Sequence, residues 1–139
     1  MRAKDFMLQY KRLNTLLENK NEELEQKKSL AYKITPSLSG DSGSGTPDPH
    51  KREAAWAAMA DLRAEIVADM LAISEKQREI VKLIEQLPVN EYDVLHKHYI
   101  QGLDYQAIAD LNTRSYRWVI RAHDAALKSL QELLDKEVK

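Results

Sequence analysis

Helix breakers occur at so few places in this chain that they dictate how it can be divided. Of four Gly and four Pro, all but Pro88 and Gly102 fall between Pro36 and Pro49. The intervening segments are rich in Leu, Ala, Glu, Lys and Gln, whose side chains lose little freedom in a helix. A chain of 139 residues built this way is expected to be all-α, as one compact unit or a small head on an extended stalk. Aromatic residues make up only 6% of it, so apolar burial must come chiefly from helix-to-helix seams.

The apolar spacing fills in the segments. Phe6, Tyr10, Leu13, Leu17 and Leu24 fall on one helical stripe, which predicts a first helix over 3–31. Polar Lys20 and Asn21 interrupt that stripe. A turn-forming stretch with no periodicity follows and is expected to be a flexible, dispensable linker over 34–48. Its Gly40-Asp41-Ser42-Gly43 superficially matches a serine-protease nucleophile loop, but the strands and the matched His and Asp of such an enzyme are missing. Asp48 as N-cap and Pro49 at the first helical position then open a long helix expected over 49–87. Met59, Leu62, Ile66, Met70, Ile73, Ile80, Ile84 and Leu87 recur along it at three- and four-residue steps, with Gln77 the one polar interruption. This coiled-coil-type stripe suits either packing against the first helix as a hairpin or a homodimer seam through 51–87. The two uses are compatible in a four-helix arrangement. Residues 1–87 are thus expected to form a helical stalk or oligomerisation region, and 88–139 a separate head.

Composition excludes several classes of function. The chain has no Cys, which removes disulfides, thiolate metal sites and Cys nucleophiles. With 43% hydrophobic and 31% charged residues it should fold, not remain disordered. No run approaches the ~18 apolar residues that span a bilayer, and the N-terminus leads into an amphipathic pattern and not a secretory block. No membrane association and an intracellular location are expected. The net charge of −1 says nothing of nucleic acid by itself. Within 113–128, however, Arg114, Arg117, Arg121 and Lys128 face only Asp124, a local basic excess that suits phosphate contact.

The head repeats the helical pattern in shorter pieces. Tyr92, Leu95, Tyr99 and Ile100 predict a helix over 90–100, ended by Gly102 in the left-handed conformation. Asp104 is placed to cap a short helix over Tyr105–Leu111. Asn112-Thr113-Arg114 makes a turn, with Asn112 the residue best suited to a left-handed conformation. Ser115 caps a third helix to about Leu134, whose inner face carries Val119, Ala126, Leu127, Leu130 and Leu134. Ile108, Leu111 and Val119 are expected to form an apolar plug, and small Ala109 lets the two helices approach. A short helix, a tight turn and a longer helix are the anatomy of a helix-turn-helix.

Leu87-Pro88, Glu91, Leu95, Tyr99, Gly102-Leu103, Tyr105, Ile108-Ala109, Leu111, Ser115, Val119 and Ala126-Leu127-Lys128 together resemble the promoter-reading region four of bacterial sigma factors, over about residues 87–134. The turn from Leu111 to Ser115 departs from that pattern: it is one residue longer, and Asn112 stands where Gly is usual. The DNA-melting regions of sigma factors have no counterpart here. The whole chain, with its Met1-Arg2-Ala3-Lys4-Asp5-Phe6 opening, Ser/Gly linker and Arg114-Ser115-Tyr116-Arg117-Trp118-Val119 segment, is similar to the ArpU/RinA-like regulators of phages and prophages. That resemblance implies a transcriptional regulator in the bacterial host cytoplasm, an activator of late phage genes, with double-stranded DNA and host RNA polymerase as partners. It implies that Tyr116, Arg117, Ile120 and Arg121 read bases in the major groove, where Arg can bond guanine bidentately and Tyr or Ile can meet thymine methyls. Tyr105, Gln106, Arg114 and Ser115 would then meet the DNA backbone. Trp118 fits packing on the stalk, contact with sugar, or contact with a partner protein.

Two other classes compete. A DNA-packaging adaptor of the small-terminase kind also joins a helix-turn-helix to oligomerisation helices, and ring formation would favour it. A protein-binding inhibitor module could use the head as a docking surface without specific DNA affinity. No cofactor is expected. An enzyme is not expected either, since no Gly loop cradles phosphate and no carboxylate pair marks a pocket. His96 and His98 lie two apart and share no helix face, so with His123 they match no metal-ligand spacing.

Overall fold

In a computed structural model, the chain is described over residues 1–34 and 49–137. All regular structure among them is helical: α1 (Ala3–Ile34), α2 (Pro49–Ile84), α3 (Val89–Leu95) continued by a π-helical turn (His96–Ile100), α4 (Tyr105–Asn112) and α5 (Tyr116–Glu137). Both long helices run three residues off their expected C-terminal limits, α1 later and α2 earlier. No helix among the described residues is long and apolar enough to cross a membrane. The expected linker beyond residue 34, with its Gly40-Asp41-Ser42-Gly43 and the Asp48 cap, lies outside the described residues.

Two compact units divide the chain. One joins residues 1–14 to 72–139, and the other covers 15–71, so an 87/88 boundary cuts through the first. Within the second unit α2 buries Met59, Leu62 and Ile66. Met70 is 55% exposed instead of lining the seam. The half-buried position is Asp69, whose carboxylate lies 2.7 Å from the Lys20 ammonium. The polar gap in the α1 stripe is therefore the site of an ion pair, with Glu65 at 3.8 Å completing it.

The first unit holds the main core. Ala3, Phe6 and Met7 of α1 meet Ile80, Leu83, Ile84 and Leu87, the head residues Leu95 and Tyr99, and Ala126, Leu130 and Leu134 of α5 in one buried cluster. The Ala3 backbone N–H donates to Gln131 Oε1 at 2.8 Å, fastening the start of α1 to α5. A second cluster of Val94, Ile108, Ala109 and Val119 lies within the head. Leu111 is 63% exposed and does not join it. Val94 fills the place that the sequence assigned to Leu111.

The head corrects two further expectations. A single helix over 90–100 is interrupted, because Gln101 N–H bonds His96 O and Leu103 N–H bonds Lys97 O, both at 3.0 Å. These five- and six-residue spans insert a wider turn before Gly102, which takes φ +75. The left-handed residue between α4 and α5 is Thr113 (φ 53, ψ 47), not Asn112. Asn112 stays helical and spends its side chain on α3: its Nδ2 donates to Asp93 Oδ2 at 2.8 Å, and its Oδ1 accepts from Lys97 Nζ at 2.9 Å. Thr113 then closes the helix, with Thr113 N–H on Asp110 O (3.3 Å) and Arg114 N–H on Ala109 O (2.9 Å), the paired bonds of a Schellman motif. A β-branched residue is strained in that conformation. Thr113→Gly should therefore raise unfolding free energy by about 0.5 to 1 kcal/mol, the relief of strain less the entropy gained by the unfolded chain. Asn112→Gly should lower it, because the bonds to Asp93 and Lys97 go. Urea denaturation of both variants checks the pair of signs.

Candidate nucleic-acid interface

The two ends of the turn are fixed by side-chain caps. Asp104 Oδ1 accepts the Ala107 N–H at 2.8 Å, starting α4, and Ser115 Oγ accepts the Trp118 N–H at 3.0 Å, starting α5. Both caps agree with their sequence assignment and satisfy N–H groups that the first helical turn leaves open. α5 then buries Val119, His123, Ala126, Leu130 and Leu134 along one face. The opposite face presents Arg117 and Arg121, both exposed and one turn apart.

The other residues singled out in the sequence divide into outward and inward groups. Arg114 and Ser115 are exposed, and Ile120 is half-buried beside the Arg face. Tyr116 is 51% exposed, with its ring edge-on to Tyr105 at 6.2 Å. Gln106 is exposed and donates to Asp110 Oδ1 at 3.0 Å. Tyr105 differs from the rest. Its half-buried ring stacks on His98 with centroids 4.4 Å apart, and its hydroxyl lies 3.4 Å from His123 Nε2. It belongs to the interior packing of the head more than to its surface.

His123 is the centre of that inward group. Its Nδ1 faces the Asp124 carboxylate at 3.4 Å, and a carboxylate can only accept, so Nδ1 carries the hydrogen. Nε2 is then free to accept from the Tyr99 hydroxyl at 2.7 Å. Burial, with smaller effects from Tyr105 and Asp124, pushes the Tyr99 phenol up to about 12, so it remains a donor throughout the ordinary pH range. Burial also lowers the His123 pKa; Asp124 opposes this, while nearby His98 and the more minor Lys4 add to it. His123, one turn beyond Val119 in the sequence, is expected to lie half-buried against the head's first helix. It is buried and bonded to Tyr99, while the part of Tyr105 was not legible in the spacing. The Asp93–Lys97 pair at 2.7 Å, by contrast, has the four-residue spacing of helical ion pairs and was open to recognition. Among the described residues no group of three His, Cys, Asp or Glu could hold a metal.

Arg114 folds back over Trp118, its guanidinium carbon 4.9 Å from the ring centroid. The pair borders a groove of ≈ 320 Å³ whose other walls include Val89, Tyr92, Asp93 and Asn112. A scan of protein-family models and searches of curated proteins and of solved structures return no match for this chain.

The buried imidazole makes a pH dependence. A His with a folded pKa below its ordinary 6.5 binds fewer protons in the folded protein than in the unfolded chain between those two values. Its contribution is intact above 6.5 and is lost as pH falls through that window. The melting temperature should therefore drop between pH 7 and pH 5, and His123→Gln should flatten the drop while lowering stability at pH 7. Thermal unfolding followed by circular dichroism at the two pH values checks both effects.

Proposed function

We propose that this protein is a sequence-specific regulator of transcription that binds double-stranded DNA, with α4, the Thr113 turn and α5 acting as a helix-turn-helix and α5 lying in the major groove. The observation that carries the reading is the exposed Arg117 and Arg121 pair on α5, on a helix whose inner face is held by the core. Tyr116 and Ile120 flank that pair, and Arg114 stands at the turn where phosphate is met in such motifs. Tyr105 is withdrawn from the backbone-contact set by its packing on His98. The resemblance to phage late-gene activators and to sigma region four adds an activating role and contact with host RNA polymerase.

The reading includes a homodimer, since two-fold operators are matched by two-fold proteins. Ile66 and Ile73 are buried within the chain and are not open to a second copy. Val67, Met70 and Leu71, at 57%, 55% and 64% exposure, supply apolar surface on α2 instead. Sedimentation at tens of micromolar should give a dimer that Val67→Glu with Leu71→Glu reduces to monomer. A wild-type monomer would remove this part of the reading.

The DNA-binding part is tested on a site selected from random sequence. Arg117→Ala and Arg121→Ala should each weaken binding by ~1–3 kcal/mol and relax preference at one base position. Arg114→Ala should weaken binding to all sequences and reduce the salt slope by about one counterion. Gel-shift titrations at two salt concentrations separate the roles. Wild-type affinity in both Arg117→Ala and Arg121→Ala would mean that α5 does not read the site.

A further inference from the structure

We propose that Trp118 is a positioning residue that holds the Arg114 guanidinium ready for a DNA phosphate and does not itself contact the DNA. The inference rests on the DNA-binding reading above and deepens it by assigning a role to Trp118.

Three observations converge on this pair. First, Arg114 Cζ lies 4.9 Å from the Trp118 centroid, within the range at which a cation is attracted to an aromatic face. Second, neither partner is loosely attached. Trp118 is half-buried and packs against the Val94, Ile108, Ala109 and Val119 cluster, and its backbone N–H donates to Ser115 Oγ. The Arg114 backbone N–H is bonded to Ala109 O at 2.9 Å, and Asn112, two residues before it, is tied to Asp93 and Lys97. Third, no carboxylate neutralises Arg114 among the described residues. Asp93 borders the same groove, but its two carboxylate oxygens accept from Lys97 at 2.7 and 2.8 Å and from Asn112 at 2.8 Å. The Arg114 charge is thus fixed in position by an aromatic ring, which leaves its planar N–H donors unspent.

This arrangement suits a phosphate group. A guanidinium bonds phosphate through pairs of N–H donors in its own plane, and an aromatic face under it does not compete for them. An exposed arginine on a turn loses much rotamer freedom when it binds, and one already held over a ring loses less. Trp118 would lower the cost of the contact without touching the ligand.

The test uses full-length protein and a mixed-sequence DNA duplex, so that backbone contact is measured and not base reading. Trp118→Leu should weaken binding about three- to tenfold and shallow the salt dependence as Arg114→Ala does. Trp118→Phe, which keeps an aromatic face, should restore most of the affinity. The double variant Trp118→Leu with Arg114→Ala should bind no more weakly than Arg114→Ala alone, because the two act on one contact. Thermal unfolding of each variant accompanies the titrations. Should Trp118→Leu not fold, the reading shifts to fluorescence in a Trp56→Phe background. There DNA should change the Trp118 emission, and Arg114→Ala should abolish that change. Additive losses in the double variant, an unchanged salt slope in Trp118→Leu, or a DNA-induced emission change that survives Arg114→Ala would each overturn the positioning role. Failure of the wild-type protein to bind any duplex is a different result: it overturns the DNA-binding reading itself, and this inference with it.

Discussion

What α5 presents outward depends on how firmly its inner face is held. Ala126 and Leu130 are fully buried, and they meet Met7, Ile80, Ile84 and Leu95, which are fully buried as well. Each large aliphatic side chain enclosed in this way contributes about 1.5–3 kcal/mol relative to exposure. The start of α1, the end of α2 and the head thereby share a single core. A chain with so few aromatic residues has little else to build on. Because the cluster draws on four separate stretches of sequence, loosening any one of them frees the surface of α5 to rotate.

A second tier of polar contacts sits over the apolar one. Asp93, Lys97 and Asn112 join α3 to the end of α4, and the Schellman bonds at Thr113 deliver the chain to Ser115 in a set direction. On the other side of the head, His123 accepts from Tyr99 inside a ring cluster that includes His98 and Tyr105. The turn between α4 and α5 is therefore held from both flanks. Arg114 stands on that turn, and Arg117 and Arg121 follow it, so their spacing is a property of the framework and not of loose side chains. This is the condition under which a few arginines can discriminate between DNA sequences and not merely adhere to them.

The legible part of this fold was the part governed by local rules. Clustered Gly and Pro marked the ends of the long helices, and Asp104, Ser115 and Gly102 marked turns because capping and left-handed backbone have strong local preferences. Where tertiary partners decided, the sequence was silent or misleading. Positions 69 and 70 both satisfy a three- or four-residue step, and the apolar rule favoured Met70. The seam instead holds Asp69, because Lys20 is its partner. The run His96–Ile100 contains no breaker, so nothing local signalled its wider turn. Asn112 is the better left-handed residue by propensity, yet two side-chain bonds, to Asp93 and to Lys97, keep it helical and pass the strain to Thr113. At the candidate interface, the resemblance put Arg117 and Arg121 on the outer side of the third helix, and both are exposed. The inward turn of Tyr105 was not legible, since it depends on His98 and His123 from other helices.

The central claim is that α5 enters the major groove and reads bases with its arginines. Methylation protection at guanine N7, on a duplex selected from random sequence, observes that event directly. N7 lies in the major groove and is one of the two acceptors an arginine occupies when it recognises guanine. The account predicts a short run of protected guanines with wild-type protein, of which one set becomes reactive with Arg117→Ala and a neighbouring set with Arg121→Ala. Binding that leaves every guanine N7 reactive, or protection that neither substitution alters, would contradict it.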